Sequence, residues 1–329
     1  MRKKTIGVLA AIAAVALSLA SCSSGGSASS SSAAATSAAP KVPYIAIVSK
    51  GFSQQFWQAV KLGAEAEATK EGARITFVGP PTESDVEQQI TMLTNALAQH
   101  PDAIGFAALD SKAAEPLMQQ AKAAKIPVIA FDSGVDSTVP VTTVATDNKA
   151  AAAEGAKHLA ALLGGKGLVG MIVHDQTSKS GTLRRDGFIE WMKANAPGIK
   201  LLPPQYSNSD IAKATDITKA IIAANPKLAG IWGSNEASAE GIAKGIQESG
   251  KKGLVASGFD SGKAQIDAIN SGILAGSITQ NPVGMGAQLV KSAMLAIKGQ
   301  SQPTFIDTGF FWYDKTNITD PKITALLYQ

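Results

Sequence analysis

Arg74-Ile75-Thr76-Phe77-Val78 is a run of strand formers, and Ala103-Ile104-Gly105-Phe106-Ala107 is a second one. Between them Val86, Ile90, Leu93 and Leu97 recur at 4-3-4 spacing. That spacing is one face of a 3.6-residue period, so it predicts a helix between two buried strands. Ser84 and Glu87 stand at capping-box spacing at its start. Strand, helix and strand in this order predict parallel pairing through a right-handed crossover.

The same order extends in both directions. Tyr44-Ile45-Ala46-Ile47-Val48 precedes the stretch, and Pro127-Val128-Ile129-Ala130-Phe131 follows it. Gly134 and Pro140 then break the periodicity, and a second series begins. Its expected strands are 141–145, 168–173, 200–202, 228–232, 254–257 and 273–279. Its expected helices include 148–163, 181–194, one carrying Ile211, Ala214, Ile217 and Ile221, and one after Pro282 carrying Val283, Ala287, Val290, Met294 and Ile297. The predicted fold class is α/β: two Rossmann-like lobes, each on a parallel sheet.

The chain ahead of these lobes reads differently. Met1-Arg2-Lys3-Lys4, an apolar run from Ile6 to Leu19 and Leu19-Ala20-Ser21-Cys22 form an export signal. The last four residues resemble a bacterial lipobox, which implies cleavage before Cys22 and a diacylglycerol on its thiol. The alternative is a plain secretory signal with an incidental cysteine. The expected division is a lipoprotein signal at 1–21 and a flexible Ser/Ala linker at 22–42, too poor in apolar residues to offset the entropy of ordering.

Composition excludes several classes. The formal charge of +4 includes Arg2, Lys3 and Lys4, whose loss leaves about +1, and no Arg/Lys cluster suggests nucleic acid. Cys22 is the only cysteine, so neither a disulfide framework nor a thiolate zinc site is expected. His100, His158 and His174 lack metal-ligand spacing. Gly165-Lys166-Gly167-Leu168-Val169-Gly170 has dinucleotide-fingerprint spacing, but a helix precedes it and a strand follows, so it reads as a helix-to-strand turn. His174-Asp175 could suggest an acid/base pair, yet neighbours on a strand point to opposite faces. No nucleophile elbow, metal cluster or cofactor motif is present, so neither an enzyme nor a cofactor is expected.

The informative residues lie just after predicted strands, where open α/β sheets bind ligands. They are Ser49 to Trp57, Asp132-Ser133-Gly134, the loop leading to Arg184-Arg185-Asp186-Gly187-Phe188, Gly233-Ser234-Asn235-Glu236, Gly258-Phe259-Asp260-Ser261 and Thr279-Gln280-Asn281-Pro282. With these motifs in order, the folded part resembles the ribose- and galactose-type periplasmic binding proteins of ABC importers. Gly258-Phe259-Asp260 followed by Ile278-Thr279-Gln280-Asn281-Pro282 is the most specific pair.

That resemblance implies two discontinuous lobes joined by a three-strand hinge. The first is 43–146 plus about 281–307, and the second is 147–280 plus about 308–329. It also implies a monosaccharide or small polyol in the cleft, an ABC permease as partner, a monomer, and a membrane contact through the lipid alone. The runner-up is a sensor that binds a sugar-like signal molecule. Carried over by position, Gln54 hydrogen-bonds sugar hydroxyls, Phe56 and Trp57 pack on the ring, and Asp132 is a carboxylate on the hinge side. Arg184 donates with its rigid fork, and Asn235, Asp260 and Gln280 form the second-lobe side. Ser133 replaces the arginine usual in ribose binders, and Tyr206-Ser207-Asn208-Ser209-Asp210 offers no clear second aromatic.

Each position also has a plainer reading. Asp132 and Asp260 could cap the segments that follow them. One of Phe56 and Trp57 could belong to the core, and Arg184 could be solvated beside Arg185. Lys50 and Asp110, near the cleft mouth, read as solvated or capping.

Overall fold

In the computed structural model, residues 41–328 are described. The signal, Cys22 and residues 22–40 of the expected linker lie outside the described residues. The strands are β1 (Tyr44–Val48), β2 (Arg74–Val78), β3 (Ala103–Phe106), β4 (Val128–Phe131), β5 (Thr142–Ala145), β6 (Lys166–Val173), β7 (Gly198–Leu201), β8 (Gln205–Tyr206), β9 (Leu228–Gly233), β10 (Val255–Phe259), β11 (Gly276–Gln280), β12 (Phe305–Asp307) and β13 (Phe310–Tyr313). The helices are α1 (Gln55–Glu71), α2 (Val86–Ala98), α3 (Glu115–Ala123), α4 (Asn148–Leu162), α5 (Lys179–Asn195), α6 (Ile211–Ala224), α7 (Glu236–Ser249), α8 (Lys263–Asn270), α9 (Pro282–Ile297) and α10 (Pro321–Thr324).

Two sheets result, as the alternating pattern predicts. One has the order β12-β5-β4-β3-β1-β2 and is parallel throughout. The other has the order β13-β11-β10-β9-β6-β7, with β8 also beside β6; only β13 runs antiparallel. Ile45, Ile47, Ile129 and Val144 of the first sheet pack with Val60, Leu289 and Val290 of the helices on it. Val169, Val173, Trp232 and Ile278 of the second pack with Leu159, Phe188 and Met192. Helices α1 and α9 approach so closely that a methyl group on Gly63 would overlap the Val283 carbonyl, and one on Gly286 the Val60 carbonyl.

The chain passes between the sheets at 146–147, at Asn281 and at 308–309. These passages are tied together. The Thr146 hydroxyl donates to Gln280 Oε1 (2.8 Å), and the amides of Asp147 and Gly309 both donate to Asp307 Oδ1 (3.1 and 2.9 Å). Near the C-terminus Ile323 packs with the second sheet's helices, whereas Tyr328 packs edge-on to Phe56 in the first lobe.

Some local expectations are corrected. α2 starts after Asp85 with no side-chain cap, so the Ser84/Glu87 capping box does not form; Ser84 instead pairs with Thr82. β11 begins at Gly276 rather than 273, because the amides of Ile273 and Leu274 turn back to the Ala268 carbonyl and close α8. Of the Gly165–Gly170 segment only Gly165 lies in the expected turn after α4, because β6 already begins at Lys166 rather than at 168.

Candidate functional site

A small polar cavity lies between the lobes, at the carboxyl ends of the parallel strands. The first lobe contributes Lys50, Gln54, Phe56, Trp57, Glu83 and Asp132; the second contributes His174, Ser180, Arg184, Asn235, Asp260 and Gln280. All eight residues singled out from the sequence therefore converge here.

The aromatic side is built by the first turn of α1. Phe56 and Trp57 meet edge to face at 4.9 Å, and both line the cavity while packing into the first-lobe core. Both rings therefore belong to the core, where that reading was expected for one of them, and both also reach the cavity wall. The Trp57 indole N–H donates to Glu83 Oε1 (2.6 Å), which fixes the ring plane. The second lobe offers no aromatic beyond the His174 imidazole; Phe259 lies instead beneath the Arg184 guanidinium at 3.8 Å.

Arg184 is the hub of the polar side. It is 3 % exposed, so the solvated reading fails. Its Nε donates to Asn148 Oδ1 (2.7 Å) and its Nη1 to the Ser234 carbonyl (3.0 Å). Asp132 and Asp260 stand 4.0 and 3.9 Å from its nitrogens. Neither aspartate caps the segment after it. Asp132 takes a left-handed conformation (φ 52°) with its backbone amide on the Val144 carbonyl. Asp260 accepts from the Gln280 side-chain amide (2.6 Å) and from the Glu236 amide (2.8 Å). Asn235 does act as a cap, accepting from Ser238 N (3.0 Å), while its side-chain amide donates to Ser209 (3.0 Å). Gln280 joins hinge to cavity through Thr146 and Asp260.

Burial pushes the Asp132 carboxyl up to about 6, against the pull of Lys50 and Arg184. Burial raises Asp260 too, opposed by Arg184 and by its two hydrogen bonds. Burial, then the Lys50 charge, holds His174 well below the usual imidazole range, so its ring is neutral.

Sequence reasoning missed Lys50, Glu83, His174 and Ser180. Lys50 is 2 % exposed, which corrects its reading as solvated; its Nζ donates to Ser180 Oγ (3.1 Å) and lies within 3.8 Å of Glu83 and 3.7 Å of Asp175. Burial opposes the Lys50 charge, but these carboxylates outweigh it and its pKa is raised. Asp110 is capping, as read, with Oδ1 accepting from the amides of Lys112 and Ala113. His174 and Asp175 do come within 3.5 Å of each other. Both lie past the end of β6, where strand alternation no longer separates neighbours. The signal for Lys50 was its place in the loop after β1, one of the strand-end loops singled out from the sequence.

Residues 45–301 match the family model described as a periplasmic binding protein domain. The chain belongs to the periplasmic binding protein family. Members of this family are solute-binding transport components rather than enzymes. This periplasmic binding protein is 30 % identical over 257 residues to the D-allose-binding periplasmic protein of Escherichia coli (strain K12), covering 75 % of this chain and 82 % of that one. It is similar to an ABC transporter solute-binding protein from Agrobacterium vitis solved with bound D-fucose, with TM-score 0.84, 34 % identity, and 87 % of this chain and 100 % of that chain covered. It is also similar to a carbohydrate transporter solute-binding protein from Agrobacterium radiobacter in complex with D-arabinose, with TM-score 0.84, 31 % identity, and 88 % and 100 % covered. The fold is the type I periplasmic binding protein fold, with two lobes on mainly parallel sheets.

Proposed function

We propose that this protein captures a neutral monosaccharide or small polyol between its lobes and delivers it to an ABC permease. The observation that carries this reading is the cavity itself. Phe56 and Trp57, set edge to face, share its wall with polar groups from Gln54, Asp132, Arg184, Asn235, Asp260 and Gln280. Sugars present an apolar C–H face and a hydroxyl rim, which such a wall matches. The cations Lys50 and Arg184 already have carboxylate neighbours, so an anionic sugar would find no free positive charge. The relatives named for D-allose or solved with D-fucose and D-arabinose support the same class. Gln54, Phe56, Trp57, Asp132, Arg184, Asn235, Asp260 and Gln280 are the proposed ligand contacts, with Lys50 and Glu83 added by the geometry.

A thermal-shift series with D-allose, D-ribose, D-arabinose, D-fucose and xylitol tests this. A sugar present at a thousand times its Kd adds about 4 kcal/mol, or roughly 8–15 °C in Tm. Flat melting curves with all of them, on folded protein, would sink the proposal.

The second part of the proposal is an extracytoplasmic address with a lipid on Cys22, supported by the signal-like residues 1–21 and the lipobox-like Leu19-Ala20-Ser21-Cys22. Cys22→Ala is expected to move the protein from the membrane fraction to the soluble fraction with sugar binding unchanged. Retention in the membrane would rule out the anchor.

A further inference from the structure

α1 begins without a cap of its own. Gln54 holds the cap position in an extended conformation (φ −82°, ψ 147°), its side chain bonds no helix amide, and the first turn carries no acid. The missing partner comes from across the cleft. Glu236, the first residue of α7, places Oε1 2.9 Å from the Gln55 amide and Oε2 3.0 Å from the Phe56 amide. The arrangement is reciprocal: Gln55 Oε1 of the first lobe accepts from the amide of Lys263, the first residue of α8 in the second (2.7 Å). Each lobe thus satisfies helix-end donors of the other, groups that otherwise need water. Gly262 lies against the junction, where a methyl group would stand 3.0 Å from Gln55 Oε1 and 3.1 Å from Glu236 Cδ.

Neither Glu236 nor Gln55 lines the cavity, yet both are tied to it. Phe56, whose amide binds Glu236, lines the cavity through its ring. Asp260, a cavity carboxylate, holds the Glu236 amide at 2.8 Å. We propose that Glu236 and Gln55 form a closure latch, made only when the cleft is shut, that sets how long a bound solute stays without touching it. The inference rests on the hinged-binder reading but not on which solute is held. Its energy comes from hydrogen bonds to a carboxyl and to an amide oxygen, all lost on opening, so it acts on dissociation rather than on encounter.

The test uses two variants of the full chain. Gln55→Pro removes one donor and the Gln55 side chain at the first helical position, where proline fits, and Gln54 is already extended as a pre-proline residue must be. Glu236→Ala removes the acceptor. Amide hydrogen exchange is followed at Phe56 and along α7 and β9, alone and with D-allose, D-ribose or D-arabinose. The latch predicts that Glu236→Ala speeds exchange at Phe56 about tenfold or more while β9 and the body of α7 stay as in the wild type. It predicts about tenfold faster sugar release in both variants, with association little changed.

Equal Phe56 exchange in wild type and Glu236→Ala overturns the latch, as does a wild-type Phe56 amide unprotected under every condition. Faster exchange throughout α7 also overturns it, since Glu236 would then be structural to its own lobe. If no sugar binds but the Phe56 contrast persists, the solute class is wrong and the latch stands.

Discussion

Arg184→Ala is expected to lower folding stability by about 3–5 kcal/mol and to abolish measurable sugar binding. The stability loss follows from what the guanidinium leaves behind. Asp132 and Asp260 are buried within 4.0 Å of it, and Asn148 Oδ1 and the Ser234 carbonyl lose their donor. The contact with the Phe259 ring is lost as well. For a chain of this size the Tm should fall by roughly 6–15 °C. Arg184→Lys separates charge from geometry. One ammonium cannot reach Asn148 and Ser234 while standing over Phe259, so stability should recover in part and binding should not. Urea and thermal melts with calorimetric titration check both arms. A Tm within 2 °C of wild type for Arg184→Ala would contradict the role of Arg184 as the hub of the buried charges.

Asp132→Asn should do the opposite to stability while still damaging binding. The Asp132 carboxyl has an ordinary pKa of 3.8 and is pushed up to about 6 in the fold, chiefly by burial. A raised carboxyl pKa means that the folded protein holds the proton more tightly than the unfolded chain. The penalty of ionisation is therefore absent below about pH 4, grows as pH rises, and is complete above about pH 6. Its size is on the order of 3 kcal/mol. The asparagine variant should match wild type near pH 4 and exceed it by about 1–3 kcal/mol at pH 7.5. Asparagine also tolerates the left-handed backbone at this position. Sugar affinity should fall about a hundred-fold for the loss of a charged acceptor. Glu236, pushed up to about 8 by burial and by Asp260, adds a slope of the same sign that extends to higher pH. Melts from pH 4 to 8 decide the matter: a variant less stable than wild type at pH 7.5 would show that Asp132 holds its neighbours together more than it costs.

The fold was legible because burial on both faces makes parallel strands read as short apolar runs, and the 3.6-residue helices between them stand out. Tyr44 to Val48 and Val86 to Leu97 carried that signal cleanly. β8, β12 and β13 did not, because they have two to four residues and owe their pairing to neighbours distant in sequence. The loops that hold the eight cavity residues could be read because they lie at strand ends, a rule about topology, and the resemblance to the sugar-binding family singled out the residues within them. Lys50 and Glu83 escaped because charged residues in loops are ordinarily solvated. Their burial depends on Asp175, Ser180 and Ser209 of the opposite lobe, and no local pattern encodes a partner more than 90 residues away. The latch was illegible for the same reason: the cap that α1 lacks lies across the cleft.

One earlier contact has an optical consequence. Trp57 alone among the four tryptophans lines the cavity, and its indole N–H is bonded to Glu83. Glu83 in turn accepts from Ser209 of the opposite lobe (2.6 Å), a bond that exists only across a shut cleft. Opening the molecule therefore changes both the polarity around one indole and the partner that polarises it. Trp232, stacked on Phe188 in the second-lobe core, gives a steady background. The native emission spectrum thus carries an unlabelled record of whether the two lobes are together.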